Sequence, residues 1–401
     1  MKSVLCLVLL ARLAASAPAE HTSAWSVNAD GRLFATFNHQ GGRRGSTEFR
    51  SQNWFMLMAD HPLGPGELTL SAMFSLEPIT ARNPGYAEIF QEGEAYRGRQ
   101  ITDHQHPHDL FDQLAAVWRI PIGDRSSVSV AGGPVGEAAL GPVSFMHRAS
   151  AAENPTAPLS HHIFDSTHIS SGVVLSRLDA GMISVEGSIF RGLEPDEYRY
   201  DLDTGKLDSW SGRVWLRPGP AWTIQASYGF LHEPEALEPG DQRRTNASAS
   251  WFRERGGDYS AVTVAVGQIA RRYSVVHALL AEATSHFGAT SLYSRFEQTQ
   301  VETEILLFPE IVHKPHPGEL VDWISAVTAG IVRDVATIGR VGIGIGGDVT
   351  FYGVPDLLQV THGAHPVSAH AFVRLGRAAL DGRMWNTTMA SPGHGGMEGM
   401  H

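Results

Sequence analysis

The chain has 401 residues, with 42 glycines, 22 prolines, a single cysteine and a formal net charge of −11. The negative charge argues against nucleic acid as a partner, because phosphate binding needs a basic surface. The sequence has no run of about 18 apolar residues, which excludes transmembrane helices, and its glycine and proline content suits an all-β chain with many turns.

The N-terminus has the pattern of a secretory signal over residues 1–19. Lys2 provides a positive charge, an apolar run spans 4–10, and small residues lead to a cleavage site after Ala19. The run is too short to cross a bilayer as a helix, and the alternative is an N-terminal core helix. Cys6 lies inside this signal, so we expect a mature chain without disulfides or thiolate ligands. Any metal site must then use His, Met, Asp or Glu.

Residues 20–376 contain many short segments in which apolar and polar residues alternate, as is typical of β-strands. In 341–351, Ile343 and Val349 share an apolar face, and Thr350 lies on the polar one. Successive side chains of a strand point to opposite sides of the sheet, so each segment has two unlike faces. The pattern predicts about 16 strands, with 14 as the alternative because two segments alternate weakly. The predicted strands are 33–39, 53–60, 66–77, 109–121, 126–133, 168–178, 181–192, 208–216, 221–231, 243–253, 259–269, 274–285, 288–298, 321–333, 339–351 and 366–376.

Tight turns and long polar loops alternate between these strands. This rhythm predicts an antiparallel up-and-down transmembrane β-barrel of the bacterial outer membrane, with short turns on the periplasmic side and long loops outside. Tryptophans near strand ends, such as Trp118, Trp210 and Trp323, suit the interface between lipid and water. The alternative is a soluble β-sandwich or propeller, periplasmic or secreted, because a protein core would bury the apolar faces equally well.

Two long loops, 78–108 and 134–167, carry histidines that are candidate metal ligands. The first ends in His104, His106 and His108, whose spacing would turn all three imidazoles to the same side of an extended chain. Such a patch suits Zn²⁺, Cu²⁺ or Ni²⁺. The alternative is that these histidines are solvated or brace the loop through hydrogen bonds.

The second loop adds His147, His161 and His162, with Asp165 and His168 close behind. Because only one hairpin separates the two loops, we expect them to meet over the mouth of the barrel. Their imidazoles would then contribute to a common metal site.

Residues 377–401 are predicted to form a disordered tail rich in methionine and histidine. Its thioether and imidazole groups suit copper best in a chain without thiols. The candidate ligands are Met389, His394, Met397, Met400 and His401. An even number of strands would place this tail in the periplasm, and the alternative is an inert tail.

The alternation over 30–376 resembles that of Gram-negative outer-membrane β-barrels of the porin-like kind. The segments 103–111 and 145–162 are similar to an uncharacterised group of bacterial exported proteins rich in histidine. The porin resemblance implies contact with outer-membrane lipid and passage of small solutes. The second resemblance implies no established activity.

These features predict a non-enzymatic outer-membrane channel linked to binding, transport or tolerance of a transition metal, with copper as the first choice and zinc as the second. One alternative is a metal-dependent hydrolase that uses the loop histidines with an acidic base. The chain has no Gly-x-Ser-x-Gly or His-Glu-x-x-His motif of known hydrolases. Another alternative is a structural or adhesive surface barrel with a closed lumen. The oligomeric state stays open.

Overall fold

The computed structural model describes residues 25–81, 83–378 and 383–391. The strands are β1 Ser26–His39, β2 Thr47–Leu63, β3 Gly66–Phe74, β4 Tyr86–Tyr96, β5 Arg99–Gln105, β6 Phe111–Gly123, β7 Ser126–Gly136, β8 Ser170–Ala180, β9 Ile183–Phe190, β10 Ser209–Gly219, β11 Trp222–Leu231, β12 Gln242–Arg255, β13 Asp258–Ala270, β14 Val275–Phe287, β15 Thr290–Glu302, β16 Val321–Ile338, β17 Val341–Gly353 and β18 Val367–Arg377. Short helices lie at α1 Glu77–Thr80, α2 His161–Phe164, α3 Thr303–Leu307 and α4 Asp356–His362, and single 3₁₀ turns at Phe145–His147, Ala149–Ala151 and Ser166–His168.

Sixteen antiparallel strands close into one barrel, in which β1 pairs with β18 and every other strand pairs with its neighbours along the barrel. The barrel confirms the predicted up-and-down topology and all sixteen predicted strands. The alternatives of 14 strands, a sandwich and a propeller are wrong, because the ladder closes on itself and leaves no edge. Among the described residues, no helix has the length and hydrophobicity to cross a bilayer.

One hairpin escaped the sequence analysis. Strands β4 and β5 pair only with each other and form a separate two-stranded sheet within the predicted loop 78–108. Residues 86–91 of β4 are all buried, so this part of the strand has no solvent-exposed face. Apolar and polar residues therefore do not alternate along it with a two-residue period. The preceding barrel strand, β3, ends at Phe74 rather than at residue 77, and α1 follows it.

The two faces of the barrel wall differ as the sequence predicted. On β17, Ile345, Val349 and Phe351 are exposed on the outside, whereas Asp348 and Thr350 are buried inside. Outward apolar side chains recur on the other strands and form the band that lipid covers in a transmembrane barrel.

Arginine in place of Val349 is expected to hinder insertion of the barrel into lipid. Val349 is exposed on the outer face of β17, and a lipid-facing charge near the bilayer midplane costs about 2–4 kcal/mol. The yield of the heat-modifiable folded form in liposomes measures the effect. Val349→Ile, which keeps the face apolar, serves as the control, and equal yields for both variants would contradict the assigned face.

The interior of the barrel is occupied by protein. The connection between β7 and β8, residues 137–169, is called the inner loop here. Its Glu153 forms ion pairs with Arg32 of β1 and Arg374 of β18, and the hydroxyl of its Ser160 donates a hydrogen bond to Glu297 of β15. The inner loop therefore crosses the lumen and contacts the wall on several sides.

Residues 383–391 also fold into the lumen, where Met384, Trp385 and Met389 are buried. The backbone N–H of Met389 donates to Glu137 at the start of the inner loop. The predicted disorder is therefore wrong for these residues, because the glycine-rich composition that suggested it belongs to the part beyond residue 391. Residues 1–19, 379–382 and 392–401, with the predicted signal and most of the predicted tail, lie outside the described residues.

Candidate functional site

Arg148 anchors the inner loop to the wall. Its Nε donates to Glu282 of β14 and its Nη1 to Asp165, both over 2.6 Å, while the same Nη1 donates to the carbonyl of Val143. Burial raises the pKa of Asp165, but Arg148 and His161 outweigh burial and hold that pKa well below its usual range. Asp165 is therefore a carboxylate that only accepts hydrogen bonds.

Five histidine rings meet beside this anchor, and we call them the histidine cluster. They come from the β5–β6 connection, from α2 and from the 3₁₀ turn that follows it, and they are His106, His108, His161, His162 and His168. Ring centroids lie 5.4 Å apart for His106 and His162, 5.5 Å for His161 and His162, 5.2 Å for His161 and His168, and 5.5 Å for His108 and His168. The cluster lines a cavity of about 20 Å³, room for one occupant the size of a water molecule.

Three of these rings are oriented through Nδ1. His161 donates to the Asp165 carboxylate over 2.8 Å, and His168 donates to the carbonyl oxygen of Asp165 over 2.6 Å. Nδ1 of His108 lies 2.9 Å from the Glu77 carboxylate. Such oxygen partners fix ring orientation and leave Nε2 for another partner. The Nε2 atoms of His108 and His168 are buried and have no hydrogen-bond partner among the described residues.

The protonation states within the cluster differ. Burial and the neighbouring His161 and His108 lower the pKa of His168 well below its usual value. Burial also lowers the pKa of His108, but Glu77 outweighs it and raises that pKa to about 9. His168 is therefore a neutral imidazole whose Nε2 carries a lone pair, because its Nδ1 holds the proton.

His106 makes a different contact. Its Nε2 lies 2.9 Å from Glu94 of β4, and burial lowers its pKa to about 4 although Glu94 raises it. His104 lies next to the carbonyl of Thr102 and does not line the cavity of the histidine cluster. Of the predicted patch, the structure therefore brings His106 and His108 to one cavity and leaves His104 outside it, and metal binding by these residues stays a prediction.

The remaining predicted ligands are placed apart from the cluster. Nε2 of His147 lies 3.3 Å from Sδ of Met73. Burial lowers the pKa of His147 to about 4, although Asp30 and a hydrogen bond with the Met384 backbone raise it. Met389 is buried in the lumen. The other tail candidates, His394, Met397, Met400 and His401, lie outside the described residues.

The sequence analysis noted Asp165 and His168 beside the predicted ligands but did not count them as part of the site, and it passed over Glu77 and Glu94, which contact His108 and His106. A usable signal was present in the sequence, because His168 follows His161 in the same loop. Within the part of the chain that the structure describes, no group of three or more His, Cys, Asp or Glu side chains is arranged to hold a metal ion as it stands.

A second cavity, of about 50 Å³, adjoins the cluster at His162. Its polar lining includes Arg271 and the carboxylates of Glu92, Glu235, Glu238 and Glu302. Burial and the neighbouring Glu302 raise the pKa of Glu238 well above its usual value, and burial raises that of Glu92 to about 7. The raised pKa values mean that these acids hold protons near neutral pH, so a cation that enters the cavity would have to displace them.

Solved structures with the same fold are outer-membrane proteins. OprB of Pseudomonas putida aligns with a TM-score of 0.54 and 9% identity over 88% of this chain and 94% of its own. An anion-selective porin from Comamonas acidovorans has a TM-score of 0.52 and 11% identity over 88% and 99%. OmpF of Salmonella typhi has a TM-score of 0.52 and 8% identity over 89% and 99%. No family model and no curated protein matches the sequence.

Proposed function

We propose that this chain, whose fold is that of the outer-membrane porins, lies in the bacterial outer membrane and takes transition-metal ions into its lumen at the histidine cluster. The single observation that carries this proposal is the group of five imidazoles beneath the long loops, all of them buried except that of His162, which is half-buried. A wide aqueous pore would not need them. Polar residues exposed to water would line such a pore at less cost than buried imidazoles.

The spacing of the rings supports metal binding. Nitrogen ligands lie about 2 Å from a tetrahedral ion, so the ring centres of two bound imidazoles are about 5 Å apart. The rings of His161 and His168 are 5.2 Å apart, and those of His108 and His168 are 5.5 Å apart. Small rotations of His108 and His168 would bring their Nε2 atoms to one ion, and binding would displace the proton that the raised pKa of His108 keeps on its Nε2. Imidazole ligands suit Cu²⁺ and Zn²⁺.

The acidic cavity at His162 supplies an approach for the ion. It lies among the connections that follow β11, β13 and β15, and His162 lines both this cavity and that of the cluster. A cation that displaces the protons of Glu92 and Glu302 would therefore reach the imidazoles through His162.

The variant His108→Ala with His168→Ala is expected to weaken binding of Cu²⁺ and Zn²⁺ by well over tenfold, because each lost imidazole removes a coordinate bond and the loss of a group that only orients a ligand already costs about 10–100-fold. Calorimetric titration of the purified barrel in detergent measures the effect. His277→Ala is the control, because His277 is exposed on the wall and contacts Gln300. Unchanged titration in the double variant, with the heat-modifiable barrel intact, would reject the site.

Passage of metal ions through the barrel is measured separately from binding. Liposomes that contain the barrel and a metal-sensitive dye should report entry of Cu²⁺ or Zn²⁺, while planar bilayers should show low conductance to bulky ions because the inner loop fills the lumen. Large unselective conductance would instead indicate a general porin.

A barrel with a closed lumen is the second candidate. The observation that favours it is the occupation of the interior by both the inner loop and residues 383–391. Metal binding without entry into the liposomes would support this candidate. Chelator-sensitive hydrolysis would support the metal-dependent hydrolase instead.

A further inference from the structure

Methionines gather in a second region of the lumen. Met56 and Met58 of β2 and Met73 of β3 point inward, where barrel walls of this type carry polar residues. Met56 lies directly opposite Met73 in the ladder between β2 and β3. Met384, from the C-terminal segment, is buried against them, and Met146 of the inner loop packs on the same group.

A histidine completes this group. Nε2 of His147 lies 3.3 Å from Sδ of Met73, and the ring of Trp54 lies 4.9 Å from the imidazole, edge to face. His147 is 8% exposed, so its imidazole is held among thioethers away from solvent.

We propose that Met56, Met58, Met73, Met146, Met384 and His147 form a binding site for Cu(I) inside the barrel. Thioether is a soft, uncharged ligand that Cu(I) prefers, and imidazole is an uncharged ligand that also suits copper. A chain without cysteine outside residue 6 has no thiolate for this ion. Flexible methionine side chains can bring sulfur atoms from two strands and two inserted segments to one point.

The competing explanation is that these methionines only fill space, as methionine often does in irregular cores. Two observations favour a ligand role. The group holds five of the chain's ten methionines, although the wall positions that it uses on β2 and β3 face the polar interior. An imidazole nitrogen also points at a thioether sulfur, a contact that packing does not require.

The site is separate from the histidine cluster but adjoins it. Phe145 packs on His161 and His108 of the cluster, and the next two residues, Met146 and His147, belong to the methionine group. The 3₁₀ turn Phe145–His147 therefore contacts both sites. The Cu(I) proposal does not depend on metal binding at the cluster.

The test uses the full-length barrel in detergent, titrated without oxygen with chelator-buffered Cu(I), and with Ag⁺ as a probe that does not change oxidation state. The variant Met56→Leu, Met58→Leu, Met73→Leu keeps side-chain volume, so its folding should change little. Cu(I) and Ag⁺ affinity should fall by more than about tenfold, and X-ray absorption should show fewer sulfur ligands. Zn²⁺ titration should stay as in the parent, because thioethers bind Zn²⁺ poorly.

Met182→Leu, at an exposed turn, is the matched control and should bind Cu(I) as the parent does. Every variant keeps the C-terminal methionines and histidines, so their contribution cancels in the comparison. If the triple variant fails to fold, Met73→Leu alone, which removes the sulfur beside His147, should weaken Cu(I) binding in the same direction. Unchanged Cu(I) and Ag⁺ titrations in the folded variant would overturn the proposal, as would equal losses of Cu(I) and Zn²⁺.

The two metal proposals fail in distinguishable ways. Loss of Zn²⁺ and Cu²⁺ binding in the His108→Ala, His168→Ala variant concerns the histidine cluster alone. Retained Cu(I) binding in that same variant is the expected result if the methionine group is a site of its own.

Discussion

Replacing Arg148 by alanine is expected to free the inner loop and to raise the ion conductance of the barrel. The change takes Arg148 from the buried Asp165 and Glu282, leaving Asp165 to His161 and Glu282 to Arg295, and loss of one partner of a buried ion pair costs about 3–5 kcal/mol. The loop carries little of the barrel's strand pairing, so we expect it to leave the wall before the barrel itself unfolds. Single-channel recordings in planar bilayers, together with limited proteolysis at the loop, measure the effect.

Arg253→Ala removes an exposed arginine of the wall and serves as the control. Adding Glu282→Gln to Arg148→Ala removes the charge of one of the two carboxylates that lost Arg148. The double variant should therefore recover part of the resistance to proteolysis that Arg148→Ala loses. A conductance and a proteolysis pattern identical to those of the parent would contradict the role of Arg148 as the anchor of the loop.

Ending the chain after Ala378 is expected to destabilise the barrel and to open its lumen on the side of the short turns. The truncation removes the side chains of Met384, Trp385 and Met389, which are 1%, 8% and 1% exposed. Burial of a large apolar side chain contributes about 1.5–3 kcal/mol, so several kcal/mol are lost together with the contacts to Phe252 and Tyr259. Thermal loss of the compact form on gels and the conductance report the two effects.

A chain that ends after Ser391 is the matched comparison. It keeps every described contact of the C-terminal segment and removes only residues 392–401, so its thermal stability should equal that of the full chain. Equal stability of the chain that ends after Ala378 would show that the segment 383–391 contributes nothing to the fold.

Several conclusions about the wall followed from the sequence alone. Side chains that alternate between lipid and interior leave a two-residue period in every strand, and this period located all sixteen strands. The alternation of short and long connections then indicated the up-and-down order. Both signals are local, so neighbouring residues suffice to detect them.

The hairpin β4–β5 and the segment 383–391 gave no such signal. Tyr86 to Gln91 are buried on both faces, so no polar face marks the strand. For 383–391, the glycine-rich residues that follow made the whole tail look disordered, although Trp385 packs against Tyr259 inside the barrel.

The candidate sites also divide into features that the local sequence indicates and features that depend on tertiary contacts. The sequence identified the histidine-bearing loops and most members of the histidine cluster, because clustered histidines are rare enough to stand out. It did not separate His104 and His147 from the cluster or include His168, since ring orientation depends on Glu77, Glu94 and Asp165.

By itself, then, the sequence determined the closed wall, its lipid-facing side and the residue types available for metal binding. Only the tertiary structure decided that the lumen is filled and which side chains meet there. Met73 and His147 are 74 positions apart in the chain, and they come together because the inner loop folds back onto the wall. Contacts of that separation leave no period or spacing in the sequence, because such patterns report only on neighbouring residues. The position of the inner loop depends instead on the shape and charge of the distant strand that it contacts.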